Sequence, residues 1–585
     1  MKSSQRKNIF RRINIFVAVI GTITAISLVL LVGFYWDEKT LNIFLIVNNI
    51  LISAFILQEG FRWFVAGHLK KHLKIRWLEN IFALLMLFTL FFPDQIVIFT
   101  QFIFPEFTVK QLTLLFLGIV EGSLIFVFAI DGLRYSKTIS KIDLNPGSVF
   151  ALSFVVIISI GTLFLLLPRM TVGEPLSFVD ALFTSTSAVC VTGLIVVDTA
   201  TEFTSLGKVF ILLLIQIGGL GVMTLTTFFA FVFAGGVSVK VRLLIREMLS
   251  EESMGQIAGL LKRITAFTFI TEFIGVIFLY TSMGGSFIDI NRDYLYSSIF
   301  HSVSAFCNAG FSIYSSGLAD PLVNSNASYL STIMILIILG GIGFAVIANL
   351  SSVFSNEKRN IRFKYRLKIA TKVVLITTGV LLLGGAIMAF FSNDWSGLSI
   401  NERIFHSIFL SVTSRTAGFN TIPTEGLAAP LVLILIILMW IGASPGSTGG
   451  GIKTTTFAIS ILALFNYITG KEKVEIFHRE VSSDSIKRAF MVITASLVTL
   501  GIGSIILVWI EPDKQPIDLL FEATSAISTV GLSRDITFHL GTGSKYLITA
   551  LMFIGRIGVL TFFLSFHKPK LLPKYELPQE NITIG

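Results

Sequence analysis

The sequence predicts an all-α integral membrane protein with four helix–pore-loop–helix repeats around a central pore, preceded by about four additional transmembrane helices. Two observations support this fold class. Of the 585 residues, 54% are hydrophobic and only 14% are charged, which is typical of a membrane protein rather than of a soluble domain. In addition, a short segment that ends in glycine occurs four times, and self-similarity at a fixed period indicates a repeat architecture.

The recurring segment combines small, hydroxyl-bearing and apolar residues before its glycine. Successive glycines are 117, 108 and 113 residues apart. Glycine permits a positive φ and a close approach of backbone to an axis, and a ring of backbone carbonyls can replace the hydration shell of a small cation. The four copies are SAVCVTGL at 187–194, SAFCNAGF at 304–311, TSRTAGF at 413–419 and SAISTVGL at 525–532, with the glycines Gly193, Gly310, Gly418 and Gly531.

Each copy lies between two long apolar stretches. A first long helix is followed by a stretch of about ten residues, which is too short to cross a bilayer, then by the glycine and a second long helix. The short stretches predict half-helices that enter and leave on one side, and the non-helical backbone after them should line a watery cavity. The predicted repeats are 146–250, 251–358, 359–475 and 476–585; their first helices are 148–168, 264–283, 370–391 and 491–510, and their second helices are 206–234, 328–350, 430–465 and 545–566.

Residues 1–140 form a separate region of unknown role, with apolar stretches at 13–36, 41–65, 77–99 and 111–133. Together with two full spans in each repeat, they predict twelve spans. The net charge of +10 is concentrated in basic clusters between the spans, so it indicates topology in a lipid membrane and not a nucleic-acid surface. Each cluster follows an even number of spans. This predicts a multi-pass protein of the cell (inner) membrane with both termini cytoplasmic.

The second helix of the third repeat is interrupted by the glycine-rich loop 446–451. Several glycines and a proline in an apolar run must break a helix, and a broken helix at membrane depth belongs in a cavity. The run is not a phosphate-binding loop, because Ile452 separates its glycines from Lys453. Arg556 lies midway in the last span, where the cost of inserting a charge requires a buried partner. We expect that partner to be the carbonyls of the glycine-rich loop.

The remaining reactive residues do not indicate an enzyme. Cys190 and Cys307 support neither a disulfide framework nor a zinc site. His, Asp and Glu form no cluster in the pattern, so we expect no catalytic residues and no covalently bound cofactor. Glu121, Asp131 and Glu272 lie in or near spans, where we expect each to pair with a basic neighbour.

The repeats, with SRTAGFNT at 414–421 and GSTGGGIKTTT at 446–456, are similar to the Trk/Ktr/HKT superfamily of potassium transporters, and within it to the bacterial KtrB and TrkH pore subunits. The resemblance covers 146–585. It implies that carbonyls at and before the four glycines form a potassium filter, above an intramembrane gating loop. The implied filter residues are Val191, Thr192, Gly193, Asn308, Ala309, Gly310, Thr416, Ala417, Gly418, Thr529, Val530 and Gly531, and the implied gate residues are Gly446, Ser447, Thr448, Gly449, Gly450, Gly451, Lys453 and Arg556.

The same resemblance implies ions and partners. K⁺ would be the transported ion, with Na⁺ as a candidate coupling or activating ion. The chain would form a homodimer on a cytoplasmic ring of RCK-domain nucleotide-binding regulatory subunits of the KtrA or TrkA type. These subunits would be separate chains, because this sequence has no Gly-x-Gly-x-x-Gly unit of its own. The alternative is a sodium-coupled potassium or sodium symporter of the same superfamily. Alternating-access folds usually contain inverted repeats, whereas these four share one orientation.

The topology can be tested by labelling single cysteines from outside the cell. With both termini in the cytoplasm, a cysteine replacing Asp37, in the first acidic turn, should react with an impermeant maleimide, and one replacing Lys2 should react only after permeabilisation. External labelling at position 2 would overturn both the topology and the outward orientation of the glycine segments.

Overall fold

The computed structural model describes residues 19–31, 33–65, 146–234, 257–286, 288–354, 367–471 and 473–566, short pieces between 80 and 91, and residues 578 and 580. Apart from those pieces, the predicted spans 77–99 and 111–133 lie outside the described residues, as do Glu121 and Asp131. Most of the basic clusters also lie outside them. The topology and the role of residues 1–140 therefore stay predictions.

Four successive stretches of the chain, which we number segments 1 to 4, contain a first helix, a half-helix and a second helix in that order. The first helices are Pro146–Leu165, Ile257–Ser282, Ile369–Ser392 and Ser483–Ile510, and the half-helices are Phe178–Cys190, Arg292–Cys307, Ile400–Thr413 and Pro516–Ile527. The second helices are Ser205–Ala234, Ala327–Ile342 with Phe344–Phe354, Ala429–Trp440 with Thr454–Ile468, and Thr542–Ile557 with Val559–Ser565. The repeat boundaries themselves stay predictions, since residues 235–256 and 355–366 are not described.

Other elements flank or connect the segments. The predicted stretches 13–36 and 41–65 contain the helices Val19–Leu31 and Glu38–Val65. A two-stranded hairpin, Glu475–Ile476 with Arg479–Glu480, connects segments 3 and 4. Within the described ranges four helices are long and apolar enough to cross a membrane, or six if each of two bent pairs is one span. The predicted total of twelve spans stays a prediction.

Side chains cap the N-termini of the first three half-helices, and the first two end at left-handed residues. Ser177 and Asn291 accept hydrogen bonds from the first backbone N–H groups of the first two half-helices, and Ser399 forms a capping box with Glu402. At the other end of the first half-helix, Val191 adopts a left-handed conformation with φ 57° and its N–H returns to the last turn. A chain so terminated cannot continue as a helix, and it leaves the half-helix in an irregular hairpin.

Buried apolar cores and an ion pair join the segments into a closed arrangement. One core contains Phe306 of segment 2 and Phe409 of segment 3. A second joins segments 3 and 4, and a third joins segments 4 and 1. Lys545 of segment 4 also forms an ion pair with Asp180 of segment 1, with 2.6 Å between nitrogen and oxygen. The last segment therefore packs against the first, and the half-helices lie inside the ring of longer helices.

Two of the second helices are bent, which corrects the prediction of continuous helices at 328–350 and 545–566. Each bends by 94°, one at Gly343 and the other at Gly558. The two glycines have φ values of 96° and 93°, which an L side chain rarely adopts. At the first bend the N–H of Phe344 donates to the carbonyl of Gly446 (2.9 Å) instead of to its own helix. The pattern of apolar residues could not reveal this, because the replacement partner is about 100 residues away.

Glycines on three second helices pack directly against the ends of the half-helices. A Cβ atom at any of these positions would collide with the carbonyl oxygen of the residue four before the recurring glycine of the same segment. Small residues allow such close backbone approach between membrane helices. The pairs are Gly218 with Val189, Gly340 with Phe306, and Gly555 with Ile527.

This packing predicts different outcomes for two glycine substitutions in segment 4. Gly555→Ala should lower the stability of the purified protein by about 1–3 kcal/mol, because the methyl group overpacks the contact with Ile527. Gly501→Ala is the control, since a Cβ there meets nothing within 4 Å, and alanine should stabilise that helix by about 0.5–1 kcal/mol. Thermal unfolding in detergent measures both variants. Equal melting temperatures would contradict the packing argument.

Candidate functional site

The four hairpins after the half-helices meet in a closed ring. A Cβ atom on Gly193 would collide with the carbonyl oxygen of Ala309, the residue before Gly310. The same relation holds at every step around the ring, and the fourth step returns to the first hairpin. The steps are Gly193 against Ala309, Gly310 against Ala417, Gly418 against Val530, and Gly531 against Thr192. Each glycine therefore leaves room for a carbonyl oxygen of the next hairpin.

Backbone geometry explains why carbonyl oxygens face this ring. The four glycines have φ values of 91°, 69°, 80° and 95°, and the residues two before them have φ values of 57°, 59°, 78° and 50°. The N–H group of the residue before each glycine is directed back to its half-helix. Thr192 donates to the Ser187 carbonyl (2.8 Å) and Val530 to that of Ser525 (2.8 Å), with equivalent bonds in segments 2 and 3. With these donors engaged, the groups near the ring are acceptors.

Hydroxyl groups at the ends of the half-helices hold the hairpins in two ways. Ser187 Oγ and Ser525 Oγ accept hydrogen bonds from the N–H groups of their segment's glycine, at 3.1 and 3.0 Å. Ser304 and Thr413 instead donate to the carbonyl of the residue after the glycine, at 2.8 and 2.7 Å. In the sequence these hydroxyls stand out only as part of the repeated segment. Their recurrence five or six residues before each glycine was the available signal.

A cavity of about 330 Å³ opens on one side of the ring and is lined by all four glycines. Asp198, Glu425 and Asp535 contribute carboxylates to its wall, beside hydroxyl and amide groups. A hydrogen bond with Asp535, together with the negative charge of that residue, raises the pKa of Glu425. A concave surface with this excess of negative charge raises the local concentration of cations.

The glycine-rich loop lies against the other side of the ring. Cβ atoms on Gly449 and Gly450 would collide with the hydroxyl oxygens of Thr416 and Thr529, which come two residues before the ring glycines of their segments. The non-helical stretch is longer than the predicted 446–451, because the flanking helices end at Trp440 and restart at Thr454.

Side chains and backbone groups from other parts of the protein hold this loop. Ser444 N–H donates to the Gly341 carbonyl (3.0 Å) and Thr448 N–H to that of Gly340 (3.3 Å), so the loop caps the helix that ends at the Gly343 bend. Arg556 is buried, and it donates to the carbonyls of Thr448 and Gly218. Its predicted pairing with a loop carbonyl is therefore present.

Two further cations bind backbone carbonyls of the same region. Lys453 Nζ donates to the Gly449 carbonyl (2.7 Å). Arg415 Nη2 donates to that of Gly442 (3.0 Å), so the guanidinium is directed away from the glycines and into the start of the loop. Arg415 therefore braces the start of the loop through a backbone carbonyl. The gating role of the loop residues and the ion contacts of the ring residues stay predictions.

Comparison with known proteins identifies the family. The model of the TrkH family of cation transport proteins matches residues 118–577. The Ktr system potassium uptake protein B of Bacillus subtilis is 37% identical over 74% of this chain and 96% of its own length. The potassium/sodium uptake protein NtpJ of Enterococcus hirae is 34% identical over 76% of this chain and 98% of its own.

The chain belongs to the TrkH family of cation transport proteins.

The fold agrees with this membership. The crystal structure of the potassium transporter TrkH from Vibrio parahaemolyticus superposes with a TM-score of 0.60, covering 77% of this chain and 91% of that one, at 17% identity. The predicted resemblance is thus confirmed, as is the prediction of a cation transporter instead of an enzyme. This chain and that structure share a helical fold. Residues 1–117 precede the part that the family model matches.

One prediction for a buried acid is wrong in this TrkH-family chain. Glu272 was expected to pair with a basic residue, but its carboxylate accepts a hydrogen bond from Gln216 (3.1 Å) and lies 3.9 Å from the sulfur of Cys307. The sequence contains no local signal for this contact, because Gln216 and Glu272 lie on helices of different segments. Cys190 and Cys307 are buried free thiols.

The half-helix histidines also acquire partners that the sequence did not indicate. His301 Nε2 lies 2.9 Å from Ser312 Oγ, and His406 Nδ1 lies 3.0 Å from Thr421 Oγ1. Each histidine therefore connects a half-helix to the chain that follows its own glycine. Within the described ranges no group of three or more His, Cys, Asp and Glu could hold a metal ion.

Proposed function

We propose that this chain is the pore-forming subunit of a potassium uptake system of the cell membrane. The observation that carries the proposal is the closed ring, in which each glycine faces the carbonyl oxygen that precedes the next glycine. Potassium channels use rings of backbone carbonyls in place of the hydration shell of the ion. The names of the relatives from Bacillus subtilis and Enterococcus hirae, which are potassium and potassium/sodium uptake proteins, support the choice of ion.

In this proposal transport is channel-like. A hydrated cation collects in the acidic cavity, loses water to the carbonyls of the ring, and then meets the glycine-rich loop, which acts as a gate. The four repeats surround one pore, and each contributes one part of the ring. The filter residues are 191–193, 308–310, 416–418 and 529–531. The loop contacts Thr416 and Thr529 directly, so an ion cannot leave the ring on that side until the loop moves.

We further propose that the chain works as a homodimer with a cytoplasmic RCK-domain nucleotide-binding subunit, and that both termini are cytoplasmic. The physical reason for a regulatory subunit is that a loop held by so many internal hydrogen bonds shifts between two states only when a partner binds one state more tightly. The first experiment is growth of a potassium-uptake-deficient bacterium in low potassium, with the chain expressed alone or with a candidate ring subunit. Failure to restore growth in either case, despite normal membrane levels, would reject the function.

A sodium-coupled symporter is the second candidate, and the potassium/sodium name of NtpJ favours it. The two mechanisms differ in stoichiometry. In proteoliposomes, a channel-like pore conducts potassium without sodium, whereas a symporter moves the two ions in a fixed ratio.

Selectivity should depend on the ring glycines. Gly193→Ser places a side chain where the Ala309 carbonyl lies, so the preference for potassium over sodium should fall roughly tenfold, equivalent to ~1.4 kcal/mol. Competition by each cation against rubidium uptake measures this preference. Gly426→Ser is the control, since a Cβ there meets nothing within 4 Å. An unaltered preference in both Gly193→Ser and Gly310→Ser would argue against the filter.

Gating should depend on Arg556. Arg556→Ala removes the bonds to Thr448 and Gly218 and should raise uptake without the regulatory subunit by roughly fivefold, leaving cation preference unchanged. Deleting 446–451 should act in the same direction. Arg403→Ala is the control, because that arginine bonds a carbonyl, that of Leu398, away from the loop. If both changes give normal protein levels and no faster uptake, the loop is not the gate.

A further inference from the structure

Glu522 lies in the half-helix of segment 4 and its side chain is completely buried. Its carboxylate accepts three hydrogen bonds from the chain that follows Gly531. The donors are the hydroxyl of Ser533, the hydroxyl of Thr537 at 2.9 Å, and the N–H of Arg534 at 3.2 Å. One side chain therefore holds three residues of the irregular stretch 533–537.

The guanidinium of Arg534 is occupied elsewhere. Its Nε forms an ion pair with Asp518 (2.8 Å), one turn before Glu522 on the same half-helix, and its Nη2 donates to the Glu425 carbonyl (3.0 Å). Glu522 is thus held by hydroxyl and backbone donors. The ion pair beside it is a second link between the half-helix and the same stretch. Burying an acid costs free energy unless each of its hydrogen bonds has good geometry. The network therefore specifies one position of the stretch 533–537.

Comparison between segments relates this network to the ring. Glu522 is nine residues before its ring glycine and bonds the hydroxyl two residues after it. In segment 2 the residue nine before Gly310 is His301, which bonds Ser312, also two residues after the glycine. In segment 1 the residue at this place is Thr184, whose hydroxyl has no partner among the described residues. Of these three segments, segment 4 has the contact with the most hydrogen bonds.

We propose that Glu522 is a positioning residue for cation selectivity: it sets the place of Gly531 and its carbonyl neighbours by holding the irregular stretch from Ser533 to Thr537. Ser533 lines the cavity beside Gly531, and Gly531 faces the Thr192 carbonyl of segment 1. A shift of this stretch would change the distances from a cation in the ring to carbonyl oxygens of segments 4 and 1. This inference rests on the ring being the potassium filter.

The test uses Glu522→Gln, which preserves size but replaces one acceptor oxygen by an NH₂ donor. The Ser533 hydroxyl and the Arg534 N–H can still donate to the remaining carbonyl oxygen, but an NH₂ group cannot accept from Thr537. The Thr537 hydroxyl must therefore turn and accept instead, and the stretch 533–537 should shift. The measured ratio divides the sodium concentration that halves rubidium uptake by the potassium concentration that does so, and it falls as the preference for potassium weakens. We expect a fall of about three- to tenfold, with membrane protein levels retained.

Glu511→Gln provides a matched control in the same segment. Glu511 also accepts from a backbone N–H, that of Gly541 at 2.7 Å, and from a serine hydroxyl, that of Ser544 at 2.8 Å, but at the start of the second helix. Its substitution removes the same kind of acceptor away from the ring and should not change the ratio. A structural role without influence on selectivity would leave both variants at the parent ratio.

Ser533→Ala keeps the proposal testable if Glu522→Gln is not produced in the membrane. It removes one donor and should lower the ratio in the same direction; combined with Glu522→Gln, its effect should be less than additive, since both changes break the same bond. A parent-like ratio in whichever of these variants is well expressed overturns the proposal. Gly531→Ser separates the two hypotheses: if it lowers the ratio and Glu522→Gln does not, the filter stands and the positioning role fails. If neither lowers it, the filter assignment itself fails.

Discussion

The architecture depends on the approach of four backbones with no room for a Cβ atom between them. Each ring glycine faces a carbonyl of the next hairpin, so no hairpin can move without affecting its neighbour. Other features maintain this approach. Left-handed residues end the first two half-helices, hydroxyl groups hold the hairpins from behind, and helical glycines let three second helices support the half-helix ends. All four segments therefore contact one another at the ring.

The second constraint is the need to satisfy backbone groups of a non-helical loop at membrane depth. An unpaired peptide group costs several kcal/mol in hydrocarbon, and the glycine-rich loop has few side chains to help. Its partners come from the broken helix of segment 2 and from cationic side chains, chiefly Arg556 and Lys453. The loop supplies the N–H groups that cap this helix at Gly340 and Gly341, and the helix supplies Phe344 N–H in return. Loop and bend are therefore two parts of one hydrogen-bonded unit.

Much of this could be predicted from the sequence, because composition and repetition are properties of the chain itself. The membrane class, the four glycine segments, the break near 446–451 and the partner of Arg556 all followed from apolar length, glycine spacing and the cost of a buried charge. The bends at Gly343 and Gly558 did not, because a single glycine in an apolar run is compatible with a straight helix. The partners of Glu272 and Glu522 also escaped prediction, since they depend on side chains brought together by the fold.

The bends also lower the symmetry of the molecule. Segments 2 and 4 lie across the ring from each other, and both second helices turn by 94° shortly beyond the half-helix contact. In segments 1 and 3 the corresponding chain instead forms a 30-residue helix and a helix interrupted by the loop. In the proposed function, a cation would leave a nearly four-fold ring for a passage without that symmetry, because the two bent helices face each other while the other two second helices differ. If the glycine-rich loop is the gate that we propose, one loop on one side would suffice to close such a passage, without a concerted movement of all four segments.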